Sequence, residues 1–230
     1  MFNVVFFTVI TVTMIIGYPQ TLWNDRRRVF AFWRRLSRMA GFIAEKVGGI
    51  SYEVEREENI LEEPAIYAVR HESIWETLVL IQKFFEPIFV LKEELLKIPF
   101  FGALSSAAGT IAIDRNNGAR SLMDMVGKVE LAIRSGHAVV IFPEGTRMAS
   151  GETISLKRGI ALFYSRCNCP VVPVIHNSGR FWPRRGFLKK PGTISVKFLD
   201  PILPGLSKDE FMDKLNRIFY SEVKKMQLKR

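Results

Sequence analysis

The sequence predicts an α/β domain with a mostly parallel sheet flanked by helices, joined to an N-terminal membrane-attached helical segment. Two patterns support this prediction. After residue 48, short runs of β-branched and aromatic residues alternate with stretches of helical periodicity, which is typical of a parallel sheet. Before residue 48, an uncharged apolar stretch is followed by a band of arginines. The length of 230 residues suits one domain with a short appendage.

The first residues, MFNVVFFTVITVTMIIGYP, predict a membrane anchor. They contain no charged side chain, and their apolar run of about 17 residues is near the lower limit for crossing a hydrocarbon core. A cleaved signal peptide would carry a basic first region and small residues at a cleavage site, and neither is present. We therefore expect a retained anchor that either spans the bilayer or lies in one leaflet.

A basic and aromatic band, WNDRRRVFAFWRRLSRMAGF, follows the apolar segment. The positive-inside tendency places the chain after residue 20 in the cytoplasm, and we favour a bacterial inner membrane over an organelle. A solvated basic helix is the alternative, but Phe30, Phe32 and Trp33 lie close together, which favours membrane attachment. We interpret residues 1–47 as the anchoring segment and residues 48–230 as the folded domain.

The net charge and the cysteines restrict the class of partner and cofactor. A formal charge of +10 indicates an anionic partner, which is a membrane surface, nucleic acid or a phosphorylated substrate. Cys167 and Cys169 are separated by one residue, so neither a disulfide framework nor four-ligand zinc spacing is present. We expect a reducing, cytoplasmic setting for the folded part and no metal.

Strands and helices in the second part follow from local patterns. Apolar positions recur at helical spacing over residues 122–133, and Ser207 with Glu210 forms a capping-box pattern at the start of the last helix. KEELLKIPFFG, at residues 92–102, predicts a short helix broken at Pro99. The predicted strands are ISYEVE, AIYAVR, PIFVL, TIAID, AVVIF, VVPVI and TISVKF.

Three of these strands end abruptly in polar residues, which predicts one cleft at the carboxyl edge of the sheet. In the first loop, His71 can act as a general base, with Glu76 fixing its tautomer and orientation. An offset of five residues is about 140° on a regular helix. The two side chains therefore meet only if Ser73 is the N-cap, with His71 before the helix and Glu76 in its first turn. The alternative is that Ser73 and Glu76 form a capping box and nothing more.

The second loop, FPEGTR at residues 142–147, has the composition of an anion site. Gly145 permits a tight turn, and Glu144, Thr146 and Arg147 supply a carboxylate, a hydroxyl and a cation suited to phosphate. A polar turn with a surface Glu–Arg pair is the alternative.

The remaining candidates are less specific. Arg115 in the third loop either holds a phosphate or pairs with Asp114, and Lys92 either touches an anionic ligand or is an ordinary surface charge. GRFWPRRGFLKKPG, at residues 179–192, interleaves cations with aromatic rings, which suits base stacking or insertion at a membrane surface. We expect His137 and His176 to be packing or solvent-facing residues.

Taken together and in this order, five segments resemble the 1-acylglycerol-3-phosphate O-acyltransferase (lysophosphatidic acid acyltransferase) family. The resemblance covers about residues 65 to 180, and the apolar N-terminus is similar to the family's membrane helices in character. The segments are HESIWE, in the place of the family's His-x4-Asp motif, KEELLKIPFFG, GTIAIDR, FPEGTR and VVPVI.

The resemblance implies a reaction. His71 would be the general base on the sn-2 hydroxyl of lysophosphatidic acid, which attacks the thioester of acyl-CoA or acyl carrier protein without an acyl-enzyme. Arg115 and Arg147 match positions that bind the glycerol phosphate, while Glu144, Gly145 and Thr146 would line the same site. The implied partners are membrane lipid, the lysolipid and the acyl donor, with no nucleic acid and no cofactor.

One departure and two alternatives remain. Glu76 stands where the family usually has Asp, and its extra methylene either misplaces the carboxylate or is absorbed by a shift of the helix start. The alternatives are an acyltransferase for another lysolipid and a non-catalytic basic protein that binds membranes or nucleic acid. Acyl-chain length, donor type and oligomeric state are not predicted.

Overall fold

The computed structural model describes residues 1–23, 25–113, 118–184 and 186–228. Seven strands form one sheet in the order β1-β7-β6-β2-β5-β3-β4. β6 and β7 pair antiparallel, and the other pairings are parallel. All seven predicted strands are confirmed, as is the mostly parallel sheet. The strands are β1 (Ile50–Glu55), β2 (Ile66–Val69), β3 (Ile88–Lys92), β4 (Ile111–Ile113), β5 (Val139–Ile141), β6 (Val171–His176) and β7 (Gly192–Phe198).

The helices cover both faces of the sheet. The predicted break at Pro99 is confirmed, since a 3-10 turn over Glu93–Lys97 ends before it and the next helix starts at Phe101. The last helix has the predicted reciprocal cap between Ser207 and Glu210. The α-helices are α1 (Phe2–Gly17), α2 (Arg26–Gly48), α3 (Trp75–Lys83), α4 (Phe101–Ala107), α5 (Gly118–Arg134), α6 (Gly159–Cys167), α7 (Ser178–Phe181) and α8 (Lys208–Leu228).

Two apolar cores lie on opposite faces of the sheet, because successive side chains of a strand point to opposite sides. Along β2, Ile66 and Ala68 join the core formed with α5, α6 and α8. Tyr67 and Val69 join the core formed with α2, α3 and α4. The central strands are therefore buried on both faces, as expected for a parallel sheet.

α1 lies antiparallel along α2 over its whole length. At one end, a Cβ added to Gly17 would meet the ring of Phe32, and at the other end one added to Gly48 would meet the ring of Phe2. The side of α1 that faces away from α2 exposes apolar residues, and Phe2–Trp23 is long and apolar enough to cross a membrane. These exposed residues of α1 are Val4, Phe7, Val12, Ile15 and Ile16.

The apolar face of α2 is part of the domain core, and it includes Phe30, Phe32 and Trp33, so these three rings are buried in the protein and do not favour membrane attachment of α2. Leu36, Ala40 and Ile43 are buried in the same cluster as Ile50 of β1. The boundary at residue 47 stays a prediction. Both thiols, Cys167 and Cys169, are free.

Candidate active site

Loops that follow β2 and β5 meet at one edge of the sheet, because these strands are parallel neighbours and β3 pairs with β5 on its other side. They enclose a cavity of about 750 Å³. His71 follows β2 and stands at this cavity, with its ring stacked on Phe142 at a centroid distance of 4.1 Å. Two of the three loops that were predicted to form one cleft therefore meet at this cavity, and the third, with Asp114 and Arg115, lies outside the described residues.

The His71 imidazole is held from behind by Glu76. The distance from Nδ1 of His71 to Oε1 of Glu76 is 2.7 Å. Glu76 is buried, whereas the His71 side chain keeps 19 % of its surface exposed. With Nδ1 donating to the carboxylate, Nε2 is the unprotonated nitrogen, and it is the atom available to take a proton. The extra methylene of Glu therefore does not prevent contact with the imidazole.

The start of α3 differs from the prediction. Ser73 is not the N-cap, since the helix begins at Trp75 with Ile74 as its cap. The Ser73 hydroxyl instead accepts from the Trp75 N–H at 3.0 Å, a local turn that delays the helix. Only the carboxylate half of the predicted capping box forms, because Glu76 accepts the Ser73 N–H at 3.0 Å. This later helix start places the longer Glu side chain behind His71.

Several donors converge on the Glu76 carboxylate. It accepts the backbone N–H of Glu72 at 3.1 Å and the hydroxyl of Ser73 at 2.8 Å. A hydroxyl from a distant segment, that of Ser178, donates at 3.2 Å. Burial alone would raise the pKa of the Glu76 carboxyl, but the hydrogen bond with His71 and the electrostatic interactions with the His176 and His71 rings lower that pKa to about 2. Glu76 is therefore a fixed anion at neutral pH.

Four of the predicted binding residues line the same cavity as His71. Lys92 stands at the end of β3, and Gly145, Thr146 and Arg147 form the turn after β5. Gly145 has φ of 70°, the left-handed conformation that the predicted tight turn requires. Arg147 makes no ion pair with a carboxylate among the described residues, whereas Lys92 pairs with Glu94 at 2.6 Å. Arg115 lies outside the described residues.

The structure directs Glu144 away from this cavity. Its carboxylate is buried and faces Arg70, with 3.6 Å between Oε1 and Nη1. Arg70 is already engaged by Glu72 at 2.6 Å, and neither oxygen of Glu144 has a hydrogen-bond partner among the described residues. Burial raises the pKa of Glu144 to about 8, since one guanidinium cannot neutralise two buried carboxylates. The expectation that Glu144 lines the acceptor site therefore does not match its placement.

Several residues at the site were missed by sequence reasoning. Arg184, Lys157 and Arg158 line the cavity, and Nη1 of Arg184 lies 3.1 Å from the carbonyl oxygen of Arg147. Arg184 comes from the basic and aromatic stretch noted above, whose pattern gave no indication of this site. His176 is buried and donates to the Arg70 carbonyl at 2.7 Å, so it supports the backbone before His71 rather than facing solvent.

The rest of the cavity wall is apolar. It is formed by residues of β3, β4, α5, α6 and the 3-10 turn after β3, so a polar end with cations and His71 adjoins an apolar wall. A molecule that fits both parts has an anionic group and a hydrocarbon portion. The apolar lining residues are Val90, Leu95, Ile113, Leu122, Met125, Ile160 and Phe163.

Fold and site together define a class of protein: an α/β protein with a histidine–carboxylate pair beside a cavity that is lined by cations at one end and by an apolar wall at the other. The family model described as Acyltransferase matches residues 51–177, which is more than half of the chain. The chain belongs to the acyltransferase family.

Named relatives agree with this membership. The chain is 41 % identical over 160 residues to the 1-acyl-sn-glycerol-3-phosphate acyltransferase of Pseudomonas aeruginosa, covering 69 % of this chain and 62 % of that protein. It is 30 % identical over 158 residues to the enzyme of the same name from Limnanthes alba, covering 67 % and 55 %. The matched region thus spans less than two thirds of either relative.

A solved structure has the same fold. The 1-acyl-sn-glycerophosphate acyltransferase of Thermotoga maritima superposes with a TM-score of 0.81 over 100 % of this chain and 96 % of that chain, at 21 % identity. The predicted fold class is confirmed by this match.

Proposed function

We propose that this protein transfers a fatty acyl group from an acyl thioester to the sn-2 hydroxyl of 1-acyl-glycerol-3-phosphate, which forms phosphatidic acid. The observation that carries the proposal is the 2.7 Å contact between Nδ1 of His71 and Glu76 at the edge of a cavity with both cations and an apolar wall. The donor is acyl-CoA or acyl carrier protein, which acts as a co-substrate, and the reaction uses no cofactor and no metal.

His71 acts as the general base. Its Nε2 takes the proton of the sn-2 hydroxyl while the hydroxyl oxygen attacks the thioester carbonyl carbon. When the tetrahedral intermediate collapses, the carbon–sulfur bond breaks and the thiolate takes the proton back from the imidazolium. Glu76 stabilises that imidazolium and keeps Nδ1 protonated. No acyl-enzyme forms, because the acceptor hydroxyl is itself the nucleophile.

The acceptor phosphate is held by the cations of the cavity. Arg147 is the main ligand, since it carries a planar guanidinium that no described carboxylate engages, and Lys92 assists. Gly145 and Thr146 line the acceptor site beside it. Arg115 is assigned to the same phosphate by its motif. Glu144 is assigned no contact with substrate, because its carboxylate points to Arg70.

Membrane attachment lets the acyl chains of the lysophosphatidic acid acceptor and of the phosphatidic acid product remain in the leaflet during the reaction. Because α1 packs along α2 from end to end and exposes one apolar face, we favour attachment to a single leaflet over a spanning helix. The cytoplasmic face of a bacterial inner membrane is the proposed location, from the arginine band after residue 20.

Phosphatidic acid formation by the purified full chain tests the proposal. A panel of lysolipids is offered with acyl-CoA and with acyl carrier protein, and His71→Ala is measured beside the wild-type protein. We expect preference for the phosphate monoester, and loss of activity by about 10²–10⁴-fold in the variant, the range of general acid–base catalysis. Equal use of all lysolipids would overturn the acceptor assignment. Undiminished product formation by His71→Ala would overturn the role of the base.

A further inference from the structure

The stretch from Gly179 to Gly192 contains an exposed apolar tip that the proposed reaction does not use. We call residues 186–190 the loop tip. Phe187 and Leu188 stand side by side there with 71 % and 79 % of their surface exposed. Trp182, a few residues earlier, is buried. Adjacent large apolar side chains in water are a feature of surfaces that meet an apolar partner.

The loop tip is fixed against the first turns of α1. The side-chain amide of Asn3 donates to the carbonyl oxygen of Phe187 at 2.5 Å. The rings of Phe2 and Phe6 contact Trp182 edge-on at centroid distances of 5.2 Å and 4.8 Å. Since Val4 and Phe7 at this end of α1 are exposed, Phe187 and Leu188 extend the exposed apolar face of α1.

Cations surround this apolar surface without acidic neighbours in the sequence. The chain carries no Asp or Glu from residue 153 to residue 199. Lys189 lies over the Trp182 ring at 5.4 Å, while Arg184 and Lys190 are exposed. Apolar tips flanked by cations match the interface of an anionic bilayer, where acyl chains lie under phosphate groups. The contact with α1, the candidate membrane helix, favours lipid over a protein partner.

We propose that the loop tip is a second membrane contact, which inserts Phe187 and Leu188 into the interface of an anionic lipid surface beside α1. Arg184, just before the loop tip, reaches the cavity, with its Nη1 3.4 Å from Oγ1 of Thr146. Anchoring the loop tip therefore turns the mouth of the His71 cavity toward the leaflet. The orientation of the cavity rests on the proposed function, whereas the insertion itself does not.

Depth-dependent quenching tests the insertion directly. Bimane is attached at Leu188→Cys in the full chain with Cys167→Ser, Cys169 being buried. Vesicles of phosphatidylcholine and phosphatidylglycerol contain brominated acyl chains. Leu203→Cys in the same background is the control, because Leu203 is 65 % exposed and its carbonyl oxygen accepts from Tyr164 of the core on the other face of the sheet. We expect quenching at position 188 and none at position 203.

Two results would overturn the inference. An unquenched label at position 188, with a label at Ile16→Cys quenched, means that α1 alone meets the bilayer. Equal quenching on vesicles of phosphatidylcholine alone removes the role assigned to the cations.

Activity measurements separate this inference from the proposed function. The Phe187→Ser/Leu188→Ser variant should lose about tenfold or more in kcat/KM on bilayer-embedded lysophosphatidic acid, since two apolar contacts with lipid are lost. Its kcat/KM on a detergent-dispersed short-chain acceptor should equal that of the wild-type protein. Leu203→Ser is the matched control and should change neither value. An equal loss on both substrates contradicts the membrane role, while a wild-type protein inactive on both contradicts the proposed function and leaves the quenching result standing.

Discussion

The hydroxyl of Ser178 lies 3.2 Å from the Glu76 carboxylate, although 102 residues separate them in the chain. Ser178 also lies 3.0 Å from the hydroxyl of Ser73, so three polar side chains form a buried group behind His71. Strand order creates this contact, because β6 and β2 are neighbours and the segment after β6 returns over the start of α3. Ser178 is thus a positioning residue for the carboxylate.

Replacing Ser178 by Ala should lower kcat about tenfold, because one of the donors to a buried anion is lost and the others remain. The KM for lysophosphatidic acid should not change, since Ser178 does not line the cavity. Steady-state measurement of kcat and KM for the wild-type protein, Ser178→Ala and a control variant checks this prediction. Ser195→Ala is the matched control, because the buried Ser195 hydroxyl donates to Glu55 at 2.9 Å and not to Glu76. A change in KM alone would contradict the positioning role.

Glu76→Gln should keep the fold and lower kcat by at least about 100-fold. The amide can accept the N–H groups of Glu72 and Ser73 through its oxygen, but it neither stabilises the imidazolium nor holds His71 in the required tautomer. Thermal unfolding and kinetics are measured on the same preparation. If the variant retains the full rate, Glu76 only stabilises the start of α3 and the pair is not catalytic.

Arg147→Gln should raise the KM for lysophosphatidic acid by about 10–100-fold, since a charge-assisted hydrogen bond to phosphate is lost. The effect on a lysolipid without a phosphate monoester should be much smaller. Arg134→Gln serves as the control, because Arg134 is exposed and pairs with Glu130 on α5. Equal effects on both acceptors would mean that Arg147 does not bind the phosphate.

Replacing two glycines by alanine should change the free energy of unfolding in opposite directions. A Cβ on Gly102 would lie 1.8 Å from the carbonyl oxygen of Leu96, so Gly102→Ala must displace the backbone. This variant should lower the free energy of unfolding by roughly several kcal/mol. A Cβ on Gly127 would meet nothing within 4 Å. Gly127→Ala should therefore raise the free energy of unfolding by about 1 kcal/mol, because Ala has the higher helix propensity. Denaturant unfolding of both variants checks the pair, and destabilisation by Gly127→Ala would be the contrary result.

The strands and the cleft were predictable from sequence because they depend on local patterns. An apolar run such as VVIF fits a buried strand, and Pro143 with Gly145 marks its end. Parallel pairing then brings the ends of β2, β5 and β3 to one edge of the sheet. His71, Lys92 and Arg147 are near each other for this reason.

Other features of the site were not predictable because they depend on long-range packing. The bond from Ser178 requires knowledge of strand order. The Ser73 hydroxyl, which accepts the Trp75 N–H at the helix start, also contacts the hydroxyl of Ser178, 105 residues away. The direction of Glu144 depends on Arg70, which a composition argument cannot place. In the turn FPEGTR, residue type indicated anion binding, but only the backbone determines which side chains face the cavity.

Glu144 and Arg70 lead to a prediction about pH. A carboxyl whose pKa is higher in the folded than in the unfolded protein does not lower the free energy of unfolding at low pH, where it is protonated in both states. As the pH rises from the usual pKa of the carboxyl to its folded pKa, the free energy of unfolding falls. For Glu144 that window runs from 4.5 to about 8. In Glu144→Gln the neutral form is present at every pH. The gain in melting temperature over the wild-type protein should therefore be small near the lower limit, grow through the window and level off above it.

The control for this prediction has the opposite sign. Glu222 has a lowered pKa, which burial opposes and the hydrogen bonds from Lys225 and Lys197 produce. Glu222→Gln should therefore destabilise the protein at neutral pH, and its deficit should disappear as pH falls and the wild-type carboxyl becomes protonated. Melting curves of the wild-type protein, Glu144→Gln and Glu222→Gln across the same pH series show how each variant's difference in melting temperature from wild type changes with pH. A difference between Glu144→Gln and wild type that is flat with pH would mean that Glu144 is ionised and paired with Arg70.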